Sequence, residues 1–126
     1  MIARMATILF VDDEPLTRKL LAQAAQILGH RGLTAATVEE ALLSADTDPP
    51  DLIVTDINLN GTRSLDLINQ LHSAPKTKLI PVITLSAMHP ADIQAEAQAA
   101  GAVASLEKPV RLQTLLEVIR RHAPKN

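Results

Sequence analysis

The chain has 126 residues, the size of one domain, and its 47% of hydrophobic residues is typical of a globular protein. A net charge of −2 gives no support to direct nucleic-acid binding, which needs a basic surface. The lack of cysteine excludes disulfides, thiolate metal sites and cysteine nucleophiles. No stretch approaches the roughly 18 apolar residues of a membrane span, so we expect a soluble, cytoplasmic protein without membrane contact.

Short apolar runs alternate with helix-spaced apolar residues five times along the chain. This alternation predicts an α/β fold with a five-stranded parallel sheet, right-handed crossovers and helices on both faces. The predicted strands cover residues 7–11, 33–36, 52–56, 82–86 and 103–106, with the second at an edge. The predicted helices cover residues 15–28, 38–45, 64–72, 90–100 and 110–122.

Local signals mark the ends of the first two helices. Pro15 suits a first helical turn, and Gly29 suits the position after a last turn. Thr37 can cap the second helix, with Glu40 as its capping-box partner. Apolar residues recur at helical spacing in the first helix at Leu16, Leu20, Ala24, Ile27 and Leu28. In the last helix we expect the inward residues to be Leu112, Leu115, Leu116 and Ile119.

Polar side chains stand where four of the predicted strands end. Asp12 and Asp13 follow the first strand, Asp56 ends the third, and Ser86 and Lys108 stand at the ends of the fourth and fifth. Each alone has an ordinary explanation as a cap, a turn residue or a surface charge. Because ligands of open α/β sheets bind at the carboxyl ends of the strands, their shared placement predicts one polar site.

If the first and third strands are neighbours, Asp12, Asp13 and Asp56 converge in one crevice. Their like charges repel at the low effective dielectric of a cleft, so they remain ionised together only around a cation. Oxygen-only ligands suit a hard ion, most simply Mg²⁺ with several retained waters. The set suits phosphoryl transfer to Asp56, with Lys108 and Ser86 donating to the phosphoryl oxygens.

The sequence resembles a receiver domain of the two-component response-regulator family from about Thr7 to His122. The stretches that carry the resemblance are residues 8–14, 52–56, 85–87, 100–102 and 108–109. Each stretch is weak alone, but their order and spacing are highly specific. The resemblance implies a flavodoxin-like (βα)5 fold with strand order 2-1-3-4-5. It also implies a single receiver domain over residues 1–126, with its core at about 7–122.

The resemblance further implies that Asp56 is the phosphoacceptor. Its phosphoryl group would come from a histidine kinase or a histidine phosphotransfer protein, and Ser86 and Lys108 would contact that group. The implied Mg²⁺ ligands are Asp12, Asp13, Asp56 and the backbone carbonyl of Asn58. A cis peptide bond is implied before Pro109, in keeping with the near restriction of such bonds to proline. Such a protein is a signalling phosphoacceptor, and it catalyses only its own phosphorylation and slow autodephosphorylation.

Three positions qualify this resemblance. Ser105 stands where the family usually has Tyr or Phe, so the usual aromatic switch lacks a ring to move. Asn58 and Met88 stand two residues after Asp56 and Ser86, at positions that influence the lifetime of the phosphate in the family.

The expected partners are a downstream protein or a C-terminal output domain outside this sequence, and homodimers are common in the family.

Two other functions remain open on the sequence. A receiver-like interaction module that does not use phosphate is slightly favoured by Ser105 and opposed by the intact acidic pair, Asp56, Ser86 and Lys108. A phosphohydrolase or a flavin protein on the same fold is less consistent with these residues. Flavin phosphate prefers helix N-termini and glycine-rich loops, and residues 56–58 lack the second aspartate that aspartate-based phosphatases use as general acid.

Overall fold

Five parallel strands form a sheet that helices cover on both faces. The computed structural model describes residues 6–59, 62–63, 65–86, 91–108 and 110–122. The strands are β1 (Thr7–Val11), β2 (Arg31–Ala35), β3 (Leu52–Asp56), β4 (Asn58–Leu59), β5 (Thr62–Arg63), β6 (Val82–Ser86) and β7 (Ala104–Glu107). The helices are α1 (Pro15–Ile27), α2 (Val38–Thr47), α3 (Leu65–Ser73), α4 (Ala91–Ala100) and α5 (Leu112–His122).

The main sheet has the strand order β2-β1-β3-β6-β7, and all of its pairings are parallel. When the two short strands β4 and β5 are set aside, this order is the predicted 2-1-3-4-5. The flavodoxin-like fold and the edge position of β2 are therefore confirmed. Because β1 lies beside β3, the residues that follow β1 are brought next to Asp56.

Apolar side chains alternate between the two faces of the sheet and form two cores. On one face, residues such as Leu9 and Ile53 pack with α2, α3 and α4. On the other face, Phe10 and Val54 pack with α1 and α5. Since both faces are covered, the central strands are apolar almost throughout, as expected for a parallel sheet.

The two edge strands differ in their boundaries from the predicted ones. β2 was expected at 33–36 but runs from Arg31 to Ala35, because its pairing with β1 begins where Thr7 faces Arg31. β7 was expected at 103–106 but runs from Ala104 to Glu107, because it follows β6 to its last residue. Single-sequence patterns do not contain this register information.

The apolar residues that predicted α1 are not the residues that bury it. Leu16, Leu20 and Ile27 are exposed, whereas Ala25 is buried and Leu21 packs against the core. Helical spacing identified the helix correctly, but small Ala25 permits the close contact with the sheet. The larger side chains are consequently left on the outer surface.

A similar difference occurs at the start of α5. Leu115 and Ile119 are buried as expected, and Leu116 is half-buried. Leu112, also expected to face inward, is 54% exposed because it is the first residue of the helix and lies beyond the central packing layer. The inward face of α5 therefore begins one turn later than the sequence indicates.

The strands β4 and β5 form a small antiparallel hairpin that was not predicted. Asn58 faces Arg63, and Leu59 faces Thr62. Residues 60 and 61 between them, Asn-Gly in the sequence, lie outside the described residues. This dipeptide is favoured in two-residue hairpins and was the signal that could have identified the hairpin.

Within the described ranges, none of the helices has both the length and the apolar character needed to cross a membrane.

The predicted cap of α2 is present. The Glu40 backbone N–H donates to Thr37 Oγ1 at 3.1 Å, and the Ala36 N–H donates to Glu40 Oε1 at 3.3 Å. The reciprocal bond thus reaches one residue before the cap. Both bonds satisfy backbone donors at the start of the helix and fix the connection from β2.

Candidate functional site

The residues predicted from the strand ends lie at one edge of the sheet. Asp12 directly follows β1, Asp56 ends β3, Ser86 ends β6, and Lys108 directly follows β7. The Lys108 backbone N–H donates to the Ser86 carbonyl oxygen at 2.7 Å, which extends the pairing of β6 and β7 by one bond. The strand order therefore gathers side chains that are far apart in the sequence.

The ammonium group of Lys108 bridges two of the aspartates. Its Nζ lies 2.8 Å from Asp56 Oδ2 and 3.3 Å from Asp12 Oδ2. Asp12 and Asp56 are both buried, whereas Lys108 is partly exposed. Burial by itself would lower the pKa of Lys108, but the hydrogen bonds and negative charges of Asp56 and Asp12 outweigh it and raise that pKa.

Backbone donors orient the other oxygens of the same two carboxylates. The Glu14 N–H donates to Asp12 Oδ1 at 2.9 Å, and the Asn58 N–H donates to Asp56 Oδ1 at 3.1 Å. In both cases the donor stands two residues after the aspartate, so each loop folds back on its own carboxylate. One oxygen of each aspartate is thereby held by its loop while the other contacts Lys108.

Asp13 completes a group of three carboxylates. One oxygen from each of Asp12, Asp13 and Asp56 lies within 4.8 Å of the other two, and Asp13 is half-buried. Three carboxylate oxygens at this separation fit a hard divalent cation that keeps part of its water shell. The group can therefore hold a metal ion.

The neighbouring acid Glu14 has a different role. Its side chain is the N-cap of α1 and accepts a hydrogen bond from the Leu16 N–H at 3.2 Å. Arg18, four residues later, donates from Nη1 to the Asp12 carbonyl oxygen at 2.8 Å. Sequence reasoning did not identify Arg18 as part of the site, because an arginine near the start of a helix resembles a surface charge.

Ser105, the position of the expected aromatic switch, is tied to the adjacent strand. Thr84 Oγ1 donates to Ser105 Oγ at 2.8 Å, and the two residues face each other across β6 and β7. Thr84 is in turn aligned with Thr55 on β3. A row of three hydroxyl side chains therefore crosses three neighbouring strands.

The remaining predicted positions are only partly described. Asn58 contacts Asp56 through its N–H, and the role of its carbonyl as a metal ligand stays a prediction. Met88 and Pro109 lie outside the described residues.

A cavity of about 450 Å³ adjoins Lys108 between α1 and α5, and its lining includes Leu21, Leu112 and Leu115.

The fold and this site define a doubly wound α/β protein with a lysine-bridged acidic pocket at the carboxyl edge of its sheet. The family model of the response regulator receiver domain matches residues 8–120. The chain belongs to this family, whose members are signalling proteins of two-component systems and not classical enzymes.

Individual relatives agree with this assignment. The chain is 36% identical over 123 residues to the KDP operon transcriptional regulatory protein KdpE of Escherichia coli, covering 94% of this chain and 53% of KdpE. It is 31% identical over 115 residues to protein PilH of Pseudomonas aeruginosa, covering 91% of this chain and 95% of PilH. A crystal structure of chemotaxis protein CheY4 from Vibrio cholerae aligns with a TM-score of 0.88 and 28% identity, covering 94% of this chain and 99% of CheY4.

The relatives differ in how much of their length this chain represents. It spans about half of KdpE and 24% of the C4-dicarboxylate transport regulator DctD of Pseudomonas aeruginosa, but nearly all of PilH. The similarity therefore establishes the receiver domain, which occurs both in larger regulators and in proteins of about this size.

Proposed function

We propose that this receiver domain accepts a phosphoryl group on Asp56 and thereby switches its interactions with other proteins. The contact of Lys108 Nζ with Asp56 Oδ2 at 2.8 Å, within a cluster of three aspartates, carries the proposal. We further propose that residues 1–126 form one receiver domain with its core at about 7–122. The phosphodonor would be a histidine kinase or a histidine phosphotransfer protein.

The chemistry follows from the atoms at the site. A carboxylate oxygen of Asp56 attacks phosphorus, the bond between phosphorus and the donor histidine nitrogen breaks, and its electron pair leaves with the imidazole. The ammonium of Lys108 moves from the carboxylates to a phosphoryl oxygen, and the Ser86 hydroxyl donates to another. Charge on the transferred group is thus met by donors already at the strand ends.

The metal proposed for this reaction is Mg²⁺. Its ligands would be Asp12, Asp13, Asp56 and the backbone carbonyl of Asn58. When bound, Mg²⁺ would supply positive charge that offsets the charge on the phosphoryl oxygens. The oxygen-only donor set and the 4.8 Å grouping support this choice.

Other positions would tune the lifetime and readout of the phosphate. Asn58 and Met88 stand two residues after Asp56 and Ser86 and would influence the access of water, which sets slow autodephosphorylation. Ser105 would not act as an aromatic switch, since it has no ring and its hydroxyl is bonded to Thr84. Pro109 would follow a cis peptide bond, as the family resemblance implies.

The donor protein would dock across α1 and α5. Leu16 and Leu20 are exposed on α1, and the apolar cavity lined by Leu21 and Leu115 leads to Lys108. A downstream protein or an output domain would read the phosphorylated state, and a homodimer is a further arrangement used in the family. Leu20→Glu should slow transfer from a cognate phosphohistidine protein while leaving labelling by a small phosphodonor unchanged.

A second candidate is a receiver-like interaction module that does not use phosphate. The Thr84–Ser105 hydrogen bond favours it, because the position that usually relays the switch is held to the sheet. The bridge from Lys108 to Asp56 and Asp12 opposes it, because a module that does not use phosphate does not require a lysine held between two buried aspartates.

Intact mass after treatment with a small phosphodonor and Mg²⁺ separates the two candidates. The wild type and Asp66→Asn, which changes an exposed aspartate on α3, should gain one phosphoryl group, and Asp56→Asn should gain none. The gain should also disappear with EDTA. If neither the small donor nor a cognate phosphohistidine protein labels the folded wild type, the result favours the phosphate-independent module.

A further inference from the structure

Arg18 lies near the start of α1 but reaches back to the end of β1. Its Nη1 donates to the Asp12 carbonyl oxygen at 2.8 Å, in a partly buried position. Its own backbone N–H donates to the Glu14 carbonyl oxygen at 3.1 Å as part of the first turn of the helix. Arg18 therefore holds both ends of the turn that carries the acidic pair.

The Asp12 carbonyl lies beyond the paired residues of β1. The last aligned residue of that strand is Val11, which faces Thr55 on β3, while the Asp12 N–H donates to the Ala35 carbonyl. A carbonyl removed from water needs a donor, and a missing one is costly. The guanidinium of Arg18 supplies this donor, and charged donors make the stronger hydrogen bonds.

The contact with Asp12 also bears on Asp13. The carbonyl of Asp12 and the N–H and Cα of Asp13 belong to one planar peptide unit. A hydrogen bond to this carbonyl restrains rotation of the plane and so restrains the direction in which the Asp13 side chain leaves the backbone. Asp12 is separately held through its side chain by the Glu14 N–H, whereas the Arg18 contact acts on the shared plane.

We propose that Arg18 is a positioning residue for the divalent cation. By holding the Asp12 carbonyl, it keeps the Asp13 carboxylate beside those of Asp12 and Asp56, where their oxygens lie within 4.8 Å of one another. The inference rests on the proposed Mg²⁺ site and adds a residue that acts through the backbone of the ligands.

The charge of Arg18 and its hydrogen bond have opposite effects on metal binding. A positive charge near the site repels a divalent cation, so its removal alone would tighten Mg²⁺ binding. Loss of the hydrogen bond loosens the Asp12–Asp13 peptide, so its removal weakens Mg²⁺ binding. The direction of the change in the Mg²⁺ dissociation constant therefore distinguishes a positioning role from a nearby charge.

Calorimetric titration of the unphosphorylated protein with Mg²⁺ tests the proposal. Arg18→Met should raise the dissociation constant by about tenfold, the usual scale for loss of a group that orients metal ligands. Arg18→Lys keeps a cationic donor and should recover part of the affinity. Lys19→Met removes the same charge from an adjacent exposed residue and should leave the affinity unchanged or slightly tighter.

Labelling by a small phosphodonor gives a second readout. The rate for Arg18→Met should approach the wild-type rate at high Mg²⁺ concentration, because the catalytic groups Asp56, Ser86 and Lys108 are retained. Thermal melts in EDTA establish that each variant is folded. If Arg18→Met does not fold, Arg18→Gln, which stays polar but is two bonds too short to reach the Asp12 carbonyl, should still bind Mg²⁺ more weakly than the wild type.

Two outcomes would overturn the proposal in distinguishable ways. Unchanged or tighter Mg²⁺ binding by a folded Arg18→Met or Arg18→Gln would leave the metal site intact and remove Arg18 from it. A wild type that does not bind Mg²⁺ would overturn the proposed metal site and, with it, this inference.

Discussion

Thr84 and Ser105 are joined by a hydrogen bond of 2.8 Å between their side-chain hydroxyls. Thr84 is fully buried, and Ser105 is half-buried at the edge strand β7. Because the family resemblance implies an aromatic ring where Ser105 stands, a small cross-strand link occupies the position expected for a large movable side chain. The signal from this domain should therefore reach its partners by a route other than a ring movement.

The unequal burial of the two hydroxyls predicts unequal costs of removing them. Ser105→Ala leaves the buried Thr84 hydroxyl without its acceptor and should lower the free energy of unfolding by about 1–3 kcal/mol. Thr84→Val leaves the half-buried Ser105 hydroxyl, which water can reach, and should cost less. The double variant should be nearly as stable as the wild type, so the coupling energy should be at least as large as the cost of Ser105→Ala, about 1–3 kcal/mol.

Urea unfolding followed by far-ultraviolet circular dichroism measures these differences, since the chain has no Trp or Tyr for fluorescence. Thr34→Val on β2 is the matched control, because it makes the same change at an exposed strand position. Additive effects of Thr84→Val and Ser105→Ala would contradict a direct link between the two hydroxyls.

Lys108→Met should separate metal binding from phosphorylation. Removal of the ammonium that bridges Asp56 and Asp12 relieves its repulsion of a cation, so Mg²⁺ binding should tighten by roughly three- to tenfold. Labelling of Asp56 by a small phosphodonor should nevertheless slow by at least about tenfold, because a donor to the phosphoryl oxygens is lost. Calorimetry and intact mass measure the two effects, and Lys78→Met at an exposed site is the control. Faster labelling of Lys108→Met would count against its proposed role.

The raised pKa of Lys108 predicts how stability depends on pH in metal-free buffer. Since the pKa is higher in the folded state than the ordinary 10.5, the charged lysine stabilises the fold fully below pH 10.5. That contribution is lost as the pH rises through the folded-state pKa. The stability difference between wild type and Lys108→Met should therefore shrink in the alkaline range. Urea unfolding of both proteins in buffer with EDTA at a series of pH values checks this. A stability difference between them that grows with pH would contradict the prediction.

Gly101 and Gly29 predict different costs for the same substitution. Both have a positive φ, +113° and +86°, so alanine should cost about 1–2 kcal/mol at either position. At Gly29 a Cβ meets nothing within 4 Å, whereas at Gly101 it would collide with the ring of His72. Gly101→Ala should therefore cost about 1–3 kcal/mol more than Gly29→Ala.

The His72→Ala background tests the source of that extra cost. Without the imidazole ring, the cost of Gly101→Ala should fall toward that of Gly29→Ala, as measured by urea unfolding. Equal costs for Gly101→Ala with and without His72 would show that backbone strain alone is responsible.

The sequence predicted which polar side chains would meet at the sheet edge, because each of them stands at the end of a strand. Asp56, Ser86 and Lys108 each follow an apolar run, and the carboxyl ends of parallel strands share an edge. The sequence could not predict that Lys108 would contact both Asp56 and Asp12, because this depends on distances across the four strands from β1 to β7. Arg18 was missed for a related reason, since its partner is a main-chain carbonyl that sequence patterns do not mark.

The helices show where periodicity ceases to be informative. In α1, the spacing of Leu16 and Leu20 indicated a helix, but the contact with the sheet is made on the side of Leu21 and Ala25. A small residue can form the closest contact in a core, so a count of large apolar residues does not identify the buried side. The hairpin of β4 and β5 was missed because two-residue strands are too short to show alternation.

The topology also has a consequence for how the molecule is assembled as it is synthesised. Each strand of the main sheet pairs with one that is no more than two crossovers away along the chain, so the sheet can grow outward from β1 in the order of translation. The three aspartates come together once β3 is added beside β1. Lys108 joins them only after β7 has docked on the far edge. If the strands pair in that order, the acidic pocket gains its lysine last, and the chain can receive phosphate in the proposed way only after β7 has paired with β6.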